Sequence, residues 1–303
     1  LNKDLLTLAA LEARDMELLF ERALAIKDRQ KKGVIDQPMR GRSLGLVFDK
    51  HSTRTRLSFE VAAIQLGGVP IFISSKDTQM ARNEPVKDTA RVLSRYLDVV
   101  AIRTYSQTFL EEFAGAADIP VINALTDLYH PCQVLSDLLT VIEKKGGYRG
   151  VKIAWLGDGN NMAHSWINAA AVLGLTLTLA CPTGYHPESA ILNSARGRGG
   201  AIHVTEDPLE AIRDADVVNT DVWASMGQES EQEKRMQVFQ PYQVNSDLLA
   251  AAAADAIVMH CLPAHRGEEI TEEVLEGPQS VVWDQTENKL HMHKAILDLL
   301  LNK

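Results

Sequence analysis

The chain has 303 residues, of which 46% are hydrophobic, 23% charged and 6% aromatic. That length exceeds what one hydrophobic core usually serves, so two domains are expected, each with ample apolar material. A formal net charge of −9, from 31 basic and 40 acidic side chains with no dense Lys/Arg tract, argues against a nucleic-acid partner and requires any anionic substrate to be held by arginines gathered locally.

Strand-like and helix-like segments alternate throughout, which is the signature of α/β architecture. In the first half, short apolar strands are predicted at 43–48, 69–74, 99–104 and 120–125. Helical patterns separate them at 57–67 and 85–97, and a longer helix is predicted from Cys132 to Lys145, ending at Gly146-Gly147 where glycine accepts the positive φ of a C-cap. The segment 146–150 is read as a domain boundary. A second strand series follows at 151–157, 176–181, 201–205, 216–222, 256–262 and 280–284. The charge run 228–240 reads as a solvated face or loop. The apolar stretch 292–301 reads as a helix packed on a domain. The expected fold is therefore two α/β domains, each a mainly parallel sheet flanked by helices, with the active site in the interdomain cleft. The expected boundaries are 1–145, with a C-terminal helix 286–303 packing back on it, and 146–285.

Three cysteines, Cys132, Cys181 and Cys261, have neither a disulfide framework nor metal-ligand spacing, so a reducing, cytoplasmic location is expected. The N-terminal segment mixes charged and apolar residues at helical period, unlike a signal peptide. No apolar run approaches the ~18 residues of a membrane span.

Nearly every polar cluster falls just after a predicted strand, where ligands bind in parallel α/β sheets. The strongest is Ser52-Thr53-Arg54-Thr55-Arg56, between a strand and a helix expected to start near Leu57. Unpaired helix N–H groups, three hydroxyls and two guanidinium forks make a phosphate site. The bland alternative is a capping hydroxyl followed by exposed arginines. No Walker loop accompanies it, so the phosphate is not read as that of ATP. Arg103 at a strand end and His130-Pro131-Cys132-Gln133 at a helix start read as further donors to an anion or a carbonyl. The turn Gly157-Asp158-Gly159-Asn160-Asn161 suggests a dinucleotide fingerprint but fails it: Met162 stands at the third glycine position, and the next strand ends in Cys181-Pro182 where an acid is needed.

Together with His260-Cys261-Leu262-Pro263, the ordered Ser-Thr-Arg-Thr-Arg and His-Pro-Cys-Gln motifs resemble the aspartate/ornithine carbamoyltransferase family over essentially the whole chain. That resemblance implies that Ser52, Thr53, Arg54 and Thr55 hold the phosphate of carbamoyl phosphate, and that Arg103, His130 and Gln133 contact its carbonyl and carbamoyl groups. It adds Cys261, Leu262 and Lys289 to that site. It also implies that Gln79 reaches the active site of a neighbouring subunit in a homotrimer or a multiple of trimers. Asp221-Val222-Trp223-Ala224-Ser225-Met226-Gly227 looks like the loop that closes over the amino acid in ornithine-type members. By the same resemblance Asn161, Asp221, Ser225 and Met226 bind ornithine, and Asp221 and Cys261 flank the reacting amine. The implied reaction moves the carbamoyl group of carbamoyl phosphate onto the δ-amine of ornithine, giving citrulline and phosphate in arginine or urea-cycle-type metabolism. The carbamoyl donor arrives activated, so neither metal nor organic cofactor is expected. Other acceptors (putrescine, an acylated ornithine, aspartate) stand as alternatives. In one place the chain departs from the family, with Thr286-Glu287-Asn288-Lys289 standing where Ala-Glu-Asn-Arg is usual. Lysine keeps the charge of that site and loses the planar fork.

Overall fold

Apolar runs of four to six residues bounded by polar turns become strands, and the longer patterned stretches between them become helices. In the computed structural model, which describes residues 2–74, 84–224 and 231–302, the first series is α1 (Ala13–Lys31), β1 (Ser43–Phe48), α2 (Arg54–Gln65), β2 (Val69–Ser74), α3 (Val86–Leu93), β3 (Val99–Arg103), α4 (Gln107–Ala116), β4 (Val121–Leu125) and α5 (Pro131–Lys145). The second begins with β5 (Lys152–Leu156), α6 (Asn161–Leu173), β6 (Thr176–Ala180), α7 (Ser189–Gly197), β7 (Ala201–Thr205) and α8 (Pro208–Ile212). It ends with β8 (Val217–Thr220), α9 (Gln232–Phe239), α10 (Ser246–Leu249), β9 (Ile257–His260), α11 (Glu272–Leu275) and α12 (Val282–Leu301).

The chain divides into two compact units, Leu1–Ser136 with Glu287–Lys303, and Asp137–Thr286. The first holds a four-stranded sheet in the order β2-β1-β3-β4, and the second a five-stranded sheet in the order β7-β6-β5-β8-β9. Every pairing within both sheets is parallel. Central strands of such sheets are covered on both faces, which is why residues 99–102 of β3 and 153–156 of β5 read as apolar runs rather than alternating ones. Val47, Val100, Ile102, Leu110 and Phe113 form the core of the first unit. Leu156, Val218, Val258, Ile270 and Leu275 do the same in the second. From Glu287 onward, α12 packs on the first unit: Lys27 Nζ of α1 donates to Asn288 Oδ1 at 2.8 Å, and Arg22 pairs with Asp298.

The strand orders fix where each sheet can bind a ligand. The direction in which successive strands are added reverses between β1 and β3 in one sheet and between β5 and β8 in the other. At such switch points the loops leaving the carboxyl ends of adjacent strands splay apart and leave a crevice. The segments after β1 and β3, and those after β5 and β8, therefore flank the two crevices.

Three expected boundaries move. The strand expected at 280–284 is a single bridge from Ser280 to Val258, followed at once by the first turn of α12. The apolar triplet Val281-Val282-Trp283 is too short for its period to separate strand from helix, and the long helix that follows captures it. Helix α2 starts at Arg54, ahead of the expected Leu57, so the Ser-Thr-Arg-Thr-Arg motif supplies the helix's own first turn. Helix α3 stops at Leu93 rather than at residue 97. Among the described residues, no helix is long and apolar enough to cross a membrane.

Candidate active site

In the first unit, the parallel register sets Phe48 of β1 level with Arg103 of β3, and Asp49 N–H donates to Arg103 C=O at 2.8 Å. Ser52 and Thr53 follow β1 and lead into α2. Thr53 precedes the helix in αR conformation and makes no side-chain cap, so the N–H groups of the first turn stay directed at the crevice together with the positive end of the helix dipole. Arg54 and Thr55 are the first two residues of that helix. The second arginine of the motif is held by its own unit instead. Arg56 Nε donates to Glu60 Oε1 at 2.9 Å, and its guanidinium lies 3.5 Å from the centroid of Phe72.

Helix α5 opens with proline, whose fixed φ and missing N–H suit a first helical position. His130 stands just before it, buried with Gln133 one turn on. Lys289, buried on α12, donates from Nζ to Gln133 Oε1 at 2.8 Å. That bond fixes which end of the Gln133 amide is the acceptor. Burial, followed by the nearby charges of Lys289 and Arg103, holds His130 well below the ordinary imidazole range, so at neutral pH it is an uncharged ring with one N–H to donate. Cys132 is inert packing. Burial pushes its thiol up to about 12, and it donates to Asn123 C=O at 3.3 Å. His293, one turn beyond Lys289, is a polar neighbour that sequence reasoning missed. Its ring stacks on Phe59 at 3.6 Å between centroids, and Nδ1 sits 2.8 Å from Ser58 Oγ.

In the second unit, Thr220 of β8 is level with His260 of β9, so the next residue of each strand, Asp221 and Cys261, emerge side by side. The Cys261 thiol donates to Asp221 Oδ1 at 3.1 Å. Asp221 also accepts from its neighbour Val222 N–H at 2.9 Å and, on Oδ2, from Asn160 Nδ2 at 3.0 Å. Asn160 is the N-cap of α6, accepting from Met162 and Ala163 N–H, while Asn161 is that helix's first residue. Two glycines make the turn possible: Gly157 has φ +125°, and a Cβ on Gly159 would lie 2.2 Å from Pro187 N.

His260 itself is a structural pin. Its Nδ1 accepts from Leu262 N–H at 2.9 Å, which puts the ring proton on Nε2, 2.9 Å from Glu269 Oε1. Both side chains are fully buried. His260 N–H donates to Gln285 Oε1 at 3.0 Å, and Gln285 Nε2 donates to Asp137 Oδ1 at 2.7 Å. This network holds Leu262 at φ +59° and so aims the Cys261 thiol. Asp221, His260 and Cys261 bring possible metal-ligand atoms within 4.8 Å of one another, yet both ring nitrogens of His260 are already engaged. The trio is therefore a hydrogen-bonded arrangement before it is a metal site.

The charge run expected to be a solvated face contributes a buried cation. Arg235 of α9 is 6% exposed, and its Nη1 donates to Asp158 Oδ2 and to Trp223 C=O, each at 2.7 Å. Gln79, Ser225 and Met226 lie outside the described residues.

Two family models match the chain: aspartate/ornithine carbamoyltransferase, carbamoyl-P binding domain, over residues 3–143, and the Asp/Orn binding domain of the same family over residues 149–300. The chain is 58% identical over 302 residues to the ornithine carbamoyltransferase of Syntrophus aciditrophicus, covering 99% of this chain and 100% of that one. It is also 58% identical to that of Geobacter sulfurreducens, covering 95% of each. Its structure superposes on ornithine carbamoyltransferase from Pyrococcus furiosus with a TM-score of 0.93 at 48% identity, covering 97% of this chain and 95% of the other.

Proposed function

The chain belongs to the aspartate/ornithine carbamoyltransferase family, and from that membership we infer that it transfers the carbamoyl group of carbamoyl phosphate to the δ-amine of L-ornithine, giving L-citrulline and phosphate. The observation that carries the acceptor is the pairing of Asp221 with Cys261 at 3.1 Å. A carboxylate at that point suits an ammonium group and repels the second carboxylate of aspartate. Arg235, a buried cation on α9, is already engaged by Asp158.

Residues 1–145 with 286–303 serve in this reading as the carbamoyl phosphate domain, and 146–285 as the ornithine domain. Ser52, Thr53, Arg54, Thr55 and Lys289 hold the phosphate, joined by Gln79 from a neighbouring subunit. Arg103, His130 and Gln133 take the carbonyl and carbamoyl groups, with Cys261 and Leu262 closing the set. Asn161, Ser225 and Met226 bind the amino-acid end of ornithine, and Asp221 binds its amine. An alkylammonium has a pKa of roughly 10.4, so it must lose a proton before attack. Asp221, with the Cys261 thiol on its other oxygen, orients the amine and takes that proton to free the lone pair, and the nitrogen's second proton passes to the departing phosphate after the N–C bond forms. Charge then gathers on the carbonyl oxygen, where Arg103 and the neutral His130 donate. The C–O bond breaks, and phosphate leaves with the electron pair into the field of Arg54 and the α2 N-terminus.

The finer setting is a cytoplasmic enzyme of arginine metabolism, supported by three free thiols, one of them in the site. A homotrimer or a multiple of it is supported by exposed apolar side chains on neighbouring elements, Leu57 and Ile64 on α2 and Val69, Ile71 and Phe72 on edge strand β2. A colorimetric ureido assay tests the acceptor, with carbamoyl phosphate and ornithine, putrescine, acetylornithine or aspartate offered separately. Product with ornithine alone is expected. Product with another acceptor instead would overturn the acceptor while keeping the carbamoyl donor.

A further inference from the structure

Among the described residues of its run, Arg235 is the charged side chain that the fold buries, together with Phe239 one turn later on α9. A single nitrogen, Nη1, bridges two segments that leave different strands: the turn after β5, through Asp158 Oδ2, and the segment after β8, through Trp223 C=O, both at 2.7 Å. Nε reaches Glu231 at 3.3 Å. Tyr185 and Phe239 face the guanidinium, at 4.8 and 5.9 Å from their ring centroids, and fix its plane.

The two bridged segments are also the ones that hold Asp221. Asn160, two residues after Asp158, donates to Asp221 Oδ2 at 3.0 Å. Trp223 is two residues after Asp221. The carboxylate is thus suspended between two strands of backbone, and Arg235 ties those strands together. Charge follows the same plan. Asp158 lies half-buried beside Arg235, and its pKa is raised, by burial first and also by the charge of Asp221, against the lowering by Arg235. Away from solvent, two carboxylates, Asp158 and Asp221, share the locality with one guanidinium, which bonds to Asp158; Glu231, its other acidic partner, is exposed. The negative charge left over resides on Asp221.

We propose that Arg235 is a positioning residue for the acceptor amine: by clamping Asp158 to the Trp223 carbonyl it holds Asp221 in place and leaves its charge for the ammonium group. The inference rests on the ornithine reading above, and it concerns the δ-amine rather than the amino-acid head. Lysine at this position keeps the charge but loses the Nε bond to Glu231 and the flat face that Tyr185 and Phe239 hold, so its shorter, freely rotating ammonium is not fixed between the two partners.

Three variants test it in the full-length enzyme: Arg235→Lys, Arg235→Met, and Arg235→Met combined with Asp158→Asn. Steady-state kinetics give KM for each substrate. Calorimetry with carbamoyl phosphate present gives the affinity for norvaline, the same amino acid without its δ-amine. Arg235→Lys is expected to raise the ornithine KM by roughly tenfold or more, as misplacement of one reacting group does, with the carbamoyl phosphate KM and the norvaline affinity little changed. Arg235→Met should be worse than the double variant, which removes the orphaned carboxylate along with its partner. A loss that falls equally on ornithine and norvaline, or equally on both substrates, would reduce Arg235 to a structural residue and overturn the proposal. So would a double variant no better than Arg235→Met. If the wild-type enzyme made no citrulline, the ornithine reading would fall, and the proposal with it. Citrulline from wild type with unselective variants would sink the proposal alone.

Discussion

The two units share a plan and differ in charge. Each is a parallel sheet with its polar cluster at the strand-order switch, so topology puts the ligands in equivalent places. The first unit has there Arg54, Arg103, Lys289 and a His130 kept neutral by burial and then by Lys289 and Arg103. The second has a carboxylate, a thiol and an amide. In the function proposed above, two parallel sheets of similar plan receive an anionic donor in one unit and a cationic acceptor in the other through side-chain choice, which is why the fold by itself says little about chemistry.

Variants that exchange or erase that difference should have graded effects. The largest belongs to Asp221→Asn, which keeps shape and removes charge. Its kcat should fall by about 10²–10⁴-fold, the range for a lost acid–base group, while calorimetry finds carbamoyl phosphate bound as before. Carbamoyl phosphate affinity that fell with it would show that the two clusters do not divide the substrates. Next, Arg103→Met should lower kcat by about 10²–10³-fold, the loss seen when one donor to a developing oxyanion goes, and should weaken carbamoyl phosphate as well.

A smaller effect concerns pH. His130 and His293 are both held well below 6.5 in the folded chain, chiefly by burial and then by Lys289. A depressed histidine leaves the unfolded chain binding more protons below pH 6.5, so stability is full above that value and is lost as pH falls below it, by up to about 1.4 kcal/mol per pH unit for each ring. Urea midpoints measured at pH 7.5 and 5.5 should drop accordingly, and His293→Gln should lessen the drop; an unchanged drop would mean that the ring is not buried neutral. The smallest effect is expected of Lys289→Arg. A guanidinium fork holds phosphate in two bonds where an ammonium is a point charge, so calorimetry should show a few-fold tighter carbamoyl phosphate. Equal affinities would mean that position 289 does not meet the phosphate.

How much of the molecule is legible in its sequence follows from the physics of each feature. The central strands are, because parallel strands buried on both faces leave apolar runs such as 153–157 and 256–259. The turns that follow them are also legible, since Ser52–Arg56 and Gly157–Asn161 hold residues a core does not want. Pairings across strands are not. That Cys261 lies beside Asp221 depends on the register of β8 against β9, and that His260 is a pin depends on Glu269 and Gln285 closing round it. Arg235 is hidden most thoroughly: flanked by Glu233, Lys234 and Gln237, it carries no local mark of burial. The one available signal is Phe239 a turn later, which gives α9 an inward face.

Carbamoyl phosphate labelled with ¹³C at its carbonyl, followed by NMR with and without ornithine, reads the transfer itself. The account predicts a ureido carbonyl signal that grows one-for-one with inorganic phosphate and only when ornithine is present. Phosphate released with the label appearing as bicarbonate at the same rate with or without ornithine would contradict it, because the chain would then be hydrolysing the donor rather than transferring its carbamoyl group.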